Sequence, residues 1–368
     1  MFSSIAHARI AVAVILSAAA LSASPAPVRA DGLAVTATEL EPIPNPSIAY
    51  NRMAIAMGLP QKHGLDLKLG ADLAGGGPER IQAVATNNTD LATGDIIAAM
   101  GAIHSGAKIK ILMVMTPYGD EEVWGQNKYQ TMKDALGQPW GVASLAGAQR
   151  FNAQMAVQGL GFAPDSFRWT AIGGGDGPEL QALASGRVQL GSLSHLGAIQ
   201  AAAKGLTKTI HVVVPHTAKY TPPVPRLVVV ARSEWLKDHR ATATAYVEMV
   251  LDMMRQWEDN AQSWVKPAAA IFTNSGMDAP QFEQGWKAFR DGGYFSVNGG
   301  VNLAATQKIM DLFFKLRNDS PNQTLSKPAD LYDTGALKAA LDKMGVAKGT
   351  PGLPDTPDWY QSATAHKG

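Results

Sequence analysis

Cysteine is absent from the 368 residues, which excludes a disulfide framework, a thiol nucleophile, a thiolate metal site and a lipid-bearing cysteine. No segment reaches the roughly 20 consecutive apolar residues that a helix needs to span a bilayer. Charge of one sign is also missing. Lys and Arg number 32 against 31 Asp and Glu, and two of the basic residues, Arg9 and Arg29, lie in the first thirty positions. The remainder is close to neutral and lacks the basic excess of a nucleic-acid binder.

Catalytic signatures are missing as well. Ser144, Ser192 and Ser194 have no Gly-x-Ser-x-Gly around them, and the chain has neither His-Glu-x-x-His nor a phosphate loop ending in Gly-Lys-Ser/Thr. The glycines of Gly173 to Gly177 lack dinucleotide-fingerprint spacing, and His211 and His216 stand too far apart for good metal geometry. Glu121-Glu122 reads as a solvated loop corner rather than an acid and base pair. No enzyme, cofactor or metal is expected from this inventory.

The N-terminus reads as a signal peptide over residues 1–30. His7 and Arg9 precede an apolar run from Ile10 to Leu21, Pro25 and Pro27 break any helix, and Val28-Arg29-Ala30 offers small residues for cleavage. A periplasmic protein is the expectation, long enough for two domains of ordinary size.

An internal duplication organises the rest. Gly77-Pro78-Glu79, Gln82 to Thr86, a turn at Asn87-Asn88 and Asp90 to Thr93 are echoed by Gly177-Pro178-Glu179, Gln181 to Ser185, a turn at Gly186-Arg187 and Gln189 to Ser192. The likeness runs on through Gly106 and Gly205 into apolar runs at Ile111 to Met115 and Ile210 to Val214. Each copy parses as a strand (Leu67 to Leu69; Trp169 to Ile172), a glycine cluster, a helix opened by proline, a short strand, an alanine-rich helix (Ile96 to His104; Leu196 to Ala203) and another strand. Alternation of this kind predicts an α/β fold of two lobes, each a mostly parallel sheet flanked by helices, with a ligand cleft between them. Leu227 to Val230 reads as one more strand. Thr242 to Trp264, Gln281 to Arg290 and Ala304 to Arg317 read as amphipathic helices, and the tail after Ser320, with its run of Pro and Gly, as ending in exposed coil. Crossings at Pro117-Tyr118-Gly119 and His216 to Pro225 make residues 119–224 a second lobe inserted into a first formed by 31–118 and 225–368.

Ligands bind at the carboxyl ends of parallel strands, where helix N-termini aim backbone N–H groups. The corners at Asn45-Pro46-Ser47, Gly75-Gly76-Gly77, Thr93-Gly94-Asp95, Ser144 to Arg150, Gly174 to Gly177 and Ser192 to His195 fall there. Asp95 fits either a ligand amine or a plain helix cap. Arg150 fits an anion or the surface. His195 and His216 fit the cleft and hinge or a structural role. Tyr118, Trp124 and Tyr220 fit stacking on a flat ligand or packing of the hinge.

Several stretches carry a resemblance. They are Pro46 to Ala56 leading to Gly58, Lys62-His63-Gly64-Leu65-Asp66-Leu67, the glycines before Glu79, Asp90-Leu91-Ala92, and Thr131 to Gly137 followed by Trp140 to Ala143. In this order they resemble the nitrate, sulfonate and taurine family of ABC-transporter substrate-binding proteins, over about Thr36 to Leu251. That family includes binders of thiamin pyrimidine precursors and aromatic carboxylates. The resemblance implies a type II periplasmic fold with two interlobe crossings, no cofactor, and capture of a small-molecule ligand by lobe closure for a membrane permease. By position it implies ligand contacts from Asn45, Ser47, Gly76, Gly77, Asp95, Ser144, Ala148, Gln149 and Ser194. Gly147-Ala148 departs from the Gly-Ser often found in relatives, so a hydroxyl is lost and backbone donors remain. The expected ligand is a small organic anion or zwitterion, a sulfonate, amino-sulfonate or carboxylate, held chiefly by amides at Gly76-Gly77 and Ala148-Gln149. A monomer is expected. An exported ligand sensor and a pyrimidine-metabolising enzyme are the competing readings.

Overall fold

The computed structural model describes residues 32–39, 49–70, 76–117, 121–222 and 225–349. The chain begins with strand β1 (Leu33–Thr38), helices α1 (Tyr50–Ala56) and α2 (Leu59–Lys62), and strand β2 (Leu65–Leu69). Helix α3 (Gly77–Ala85), strand β3 (Leu91–Asp95), helix α4 (Ile96–His104) and strand β4 (Ile109–Thr116) follow. Next come β5 (Glu122–Gln126), β6 (Pro139–Val142), α5 (Ala148–Gly159), β7 (Arg168–Ala171), α6 (Asp176–Ala184), β8 (Leu190–Leu193), α7 (His195–Ala203) and β9 (Ile210–Val214). Strand β10 (Leu227–Arg232) leads into α8 (Ser233–Asp238), α9 (Arg240–Asp259), α10 (Ala261–Ile271), α11 (Ala279–Asp291), α12 (Leu303–Arg317) and α13 (Gly335–Met344).

These strands form two five-stranded sheets, ordered β2-β1-β3-β10-β4 and β7-β6-β8-β5-β9. The two orders are the same pattern written twice. In the first sheet β1 runs parallel to β2 and β3, while β10 is antiparallel to β3 and β4. In the second, β6 runs parallel to β7 and β8, while β5 is antiparallel to β8 and β9. The antiparallel strand is in each case the one that has just arrived from the other sheet. The expected two-lobed, mostly parallel α/β fold is therefore present, with two crossings.

Burial on both faces explains the composition of the central strands. Ile111 to Met115 and Val228 to Ala231 are fully buried, and a strand covered on both sides reads as a continuous apolar run rather than an alternation. Trp140 fills the second sheet's core, edge-on to Phe167 at 5.2 Å, and its indole donates to the Ser192 hydroxyl at 3.2 Å. Helix α1 has no cap of its own. The Glu39 carboxylate, one residue past β1, accepts from the N–H groups of Asn51 and Arg52 at 2.6 and 3.2 Å and takes over that role.

Three expectations need correction. Glu122 opens strand β5 rather than a loop corner, and Glu121 is buried. The run from Thr242 to Trp264 is two helices, because Asn260 leaves helical geometry and caps the second with its side chain. The tail after Ser320 first forms α13, which packs against α9 with Leu337 and Leu341 buried, and Tyr332 bridges to Ile111 of β4; its expected coil end lies outside the described residues. The paired Gly-Pro-Glu triplets are one residue out of register. Gly76 and Gly175 are the N-caps of α3 and α6, and Asp95 and Ser194 those of α4 and α7. Arg80, not Glu79, therefore matches Glu179; Glu79 is exposed and Glu179 buried.

Candidate functional site

A cavity of about 120 Å³ lies where helix N-termini of both sheets converge. The first-sheet side supplies Gly76, Gly77 and Arg80 from α3 and Asp95 from the end of β3. The second-sheet side supplies Ser144, Gly147, Ala148 and Gln149 around the start of α5, Gly174 to Asp176 before α6, and Ser194 before α7. Glu121 and Arg226, one residue ahead of the crossing strands β5 and β10, complete the wall.

Asp95 holds this junction together. One carboxylate oxygen accepts from the Ala98 N–H at 2.7 Å, capping α4. The carboxylate also lies near the start of α5, where the Ala148 N–H lowers its pKa. Glycine is required opposite it: a Cβ on Gly77 would stand 1.7 Å from Asp95 Oδ2. Burial raises the Asp95 pKa, opposed by the Ala98 and Ala148 N–H groups and the charge of Arg80.

The second sheet repeats the arrangement with partners exchanged. Asp176, in the first turn of α6, accepts from the Ser194 N–H at 3.0 Å and its hydroxyl at 2.6 Å. Carboxylate and small residue have traded places relative to Asp95 and Gly77. Glu179 accepts from the Ser192 N–H and the Gln149 side-chain amide, each at 2.6 Å. Burial lifts its pKa well above the usual range against those donors. Gln149 also donates to the Ser192 carbonyl at 2.7 Å, so its side chain is spent on joining α5 to α6 and β8.

Arg226 pairs with Glu121 across the two crossings. Burial alone would lower the Arg226 pKa, and the Glu121 charge more than restores it. Arg80 differs. The residue is 5% exposed, and its guanidinium donates from Nε to the Thr93 carbonyl at 2.6 Å. Burial lowers its pKa to about 10, so it stays charged at neutral pH.

Of the residues singled out from sequence, Gly76, Gly77, Asp95, Ser144, Ala148, Gln149 and Ser194 line this one cavity. Asn45 and Ser47 lie outside the described residues. Four others are placed elsewhere. Trp124 is buried among Leu180, Leu183 and Val188, its indole donating to Glu122 at 2.8 Å. Arg150 turns back to the Leu145 carbonyl at 2.9 Å and lines a separate hollow with Phe313 and Arg317. His195 stands 3.5 Å from Glu122 and 6.0 Å, ring to ring, from His216. His195 faces a hollow shared with α11, and His216 lines neither space. Among the described residues no group of three or more His, Asp or Glu is placed to hold a metal ion.

Arg80, Glu121, Asp176 and Arg226 were not foreseen. Arg80 had a local signal, since it interrupts the apolar stripe Gly77, Ile81, Val84 on the buried face of α3. Glu121 and Arg226 had none, being 105 positions apart.

No protein-family profile and no curated protein matches the sequence. Solved structures do. A protein of Bordetella bronchiseptica RB50 superposes with a TM-score of 0.68 at 16% identity, covering 85% of this chain and 98% of the other. The periplasmic nitrate-binding protein of Synechocystis gives 0.68 at 12% identity, with 86% and 90% covered. A periplasmic sulfonate-binding protein of Methylobacillus flagellatus gives 0.61 at 14% identity, with 90% and 99% covered. The chain has the periplasmic-binding-protein fold. In that fold the cavity lies in the crevice between the two halves, at the carboxyl ends of β3, β6 and β8, where doubly wound sheets hold their ligands.

Proposed function

We propose that the protein is a periplasmic solute-binding protein that captures a small anionic or zwitterionic organic molecule and delivers it to the permease of an ABC transporter. The observation that carries this is the two-sided wall of the cavity. A guest there touches α3 and β3 on one side and the starts of α5 and α6 on the other, so its binding favours the closed form over the open one. The volume of about 120 Å³ is near that of an engineered 150 Å³ cavity that accepts benzene, which suits a guest of about half a dozen non-hydrogen atoms. The named ligands of the similar structures, nitrate and a sulfonate, support an oxyanion.

In this reading residues 1–30 are a signal peptide, 31–118 and 225–368 form one lobe, and 119–224 form the other. The protein acts as a monomer, without catalysis. A thermal-shift screen of small sulfonates, amino-sulfonates, carboxylates and nitrate tests it. A ligand at 100 times its Kd adds about 2.7 kcal/mol, a rise on the order of 5 °C for a chain of this size. A broad panel with no shift refutes the reading. Turnover of a bound compound favours an enzyme instead, and loss of uptake on deleting the gene separates transport from sensing.

A further inference from the structure

The matched positions Arg80 and Glu179 sit at the fourth residue of α3 and α6. Both are buried, and both reach the matched strand residues, Thr93 through its carbonyl and Ser192 through its N–H. The likeness stops there. Glu179 also receives the Gln149 amide, whereas Nη1 of Arg80 is buried without a hydrogen-bond partner. The other ionisable groups of the cavity are engaged: Glu121 with Arg226, Asp95 with the Ala98 N–H, Asp176 with Ser194. Among the described residues no carboxylate forms an ion pair with Arg80. Asp95, Glu39 and Glu79 act on it only through their fields.

We infer that Arg80 is the specificity-determining residue that receives the acid group of the ligand, an oxyanion such as a carboxylate, sulfonate or nitrate. A guanidinium presents rigid, forked N–H groups that match oxyanion geometry. Burying such a charge unpaired is unfavourable for the fold alone, and an arriving oxyanion supplies what is missing. This assignment rests on the receptor reading above and adds to it the group that selects the ligand's charge.

Calorimetric titration and thermal shift of the whole protein with nitrate, ethanesulfonate, taurine and acetate, against uncharged acetamide, test the assignment. Wild type should bind at least one of the anions and not acetamide. Arg80→Leu should weaken that anion by a factor of about 10 to 100, the range of a hydrogen bond to a charged group, with a ligand-free melting temperature equal to or above wild type. Arg80→Lys keeps the charge but not the fork and should fall between the two. An anion that binds Arg80→Leu as tightly as wild type overturns the role of Arg80 and leaves the receptor standing. So does an Arg80→Leu protein that fails to fold while Arg80→Lys keeps full affinity. A wild-type protein that binds none of a wide solute panel removes the receptor reading itself.

Discussion

Gly77 and Gly177 open identical Gly-Pro-Glu triplets, yet the fold predicts opposite outcomes when each becomes alanine. At Gly77 the new Cβ would stand 1.7 Å from Oδ2 and 2.7 Å from Cγ of Asp95. That carboxylate cannot simply swing away, because it caps α4 through the Ala98 N–H. Displacing it forfeits a cap of about 1 kcal/mol and strands a buried N–H at about 1–3 kcal/mol. The stiffer unfolded chain returns about 0.4–1 kcal/mol. Gly77→Ala should therefore lose about 2 kcal/mol. At Gly177 a Cβ meets nothing within 4 Å, and the backbone is already helical. Gly177→Ala should gain about 0.5–1 kcal/mol. Urea unfolding followed by tryptophan fluorescence reads both, with Cm moving in opposite directions at constant m. Equal effects at the two sites, or a neutral Gly77→Ala, would refute the account of Asp95 as a fixed clasp.

Two further outcomes follow from buried groups. Burial raises the Glu39 pKa from 4.5 to about 7, outweighing the Asn51 N–H and the Arg52 charge. The folded state thus holds this proton more tightly than the unfolded chain. Its contribution is full below about pH 4.5 and is lost as pH rises towards 7, in total about 3 kcal/mol. Glu179, shifted the same way, adds to the trend, so Glu39→Gln should flatten the dependence of Cm between pH 5 and 8 without abolishing it; an unchanged slope rejects the assignment. In the tail, Leu341 of α13 is fully buried, so Leu341→Ala should cost about 2–5 kcal/mol, and a melting temperature within a degree of wild type would mean that α13 does not belong to the core.

The duplication was legible because each copy repeats apolar periodicity and turn residues within about thirty positions. Helix α4 and strand β9 have the predicted limits, Ile96–His104 and Ile210–Val214. Features set by distant partners were not legible. Glu121-Glu122 looks solvated until Arg226 arrives to pair with the first and Leu193 of β8 pairs with the second. The stripe Ala336, Leu337, Ala340, Leu341 was hidden by the prolines and glycines around it. Lettering also misled: Glu79 and Glu179 share a triplet but not a helix position, because the register is set by the glycine caps rather than by the proline. Within the site, backbone corners were visible as glycine and hydroxyl clusters, while the ionisable wall depended on three-dimensional convergence.

The position of β10 also bears on how the molecule comes together. It lies between β3 and β4, so β4 has no neighbour in its sheet until residues 227–232 have been made. Strands β5 to β9 are consecutive in the chain, so the second sheet needs nothing from outside its own stretch. Ile111 to Met115 meanwhile wait as an apolar strand with open edges, the kind of segment most prone to pairing with other chains. A nascent chain that had emerged only as far as Val214 would carry every strand of the second sheet beside a first sheet still missing β10.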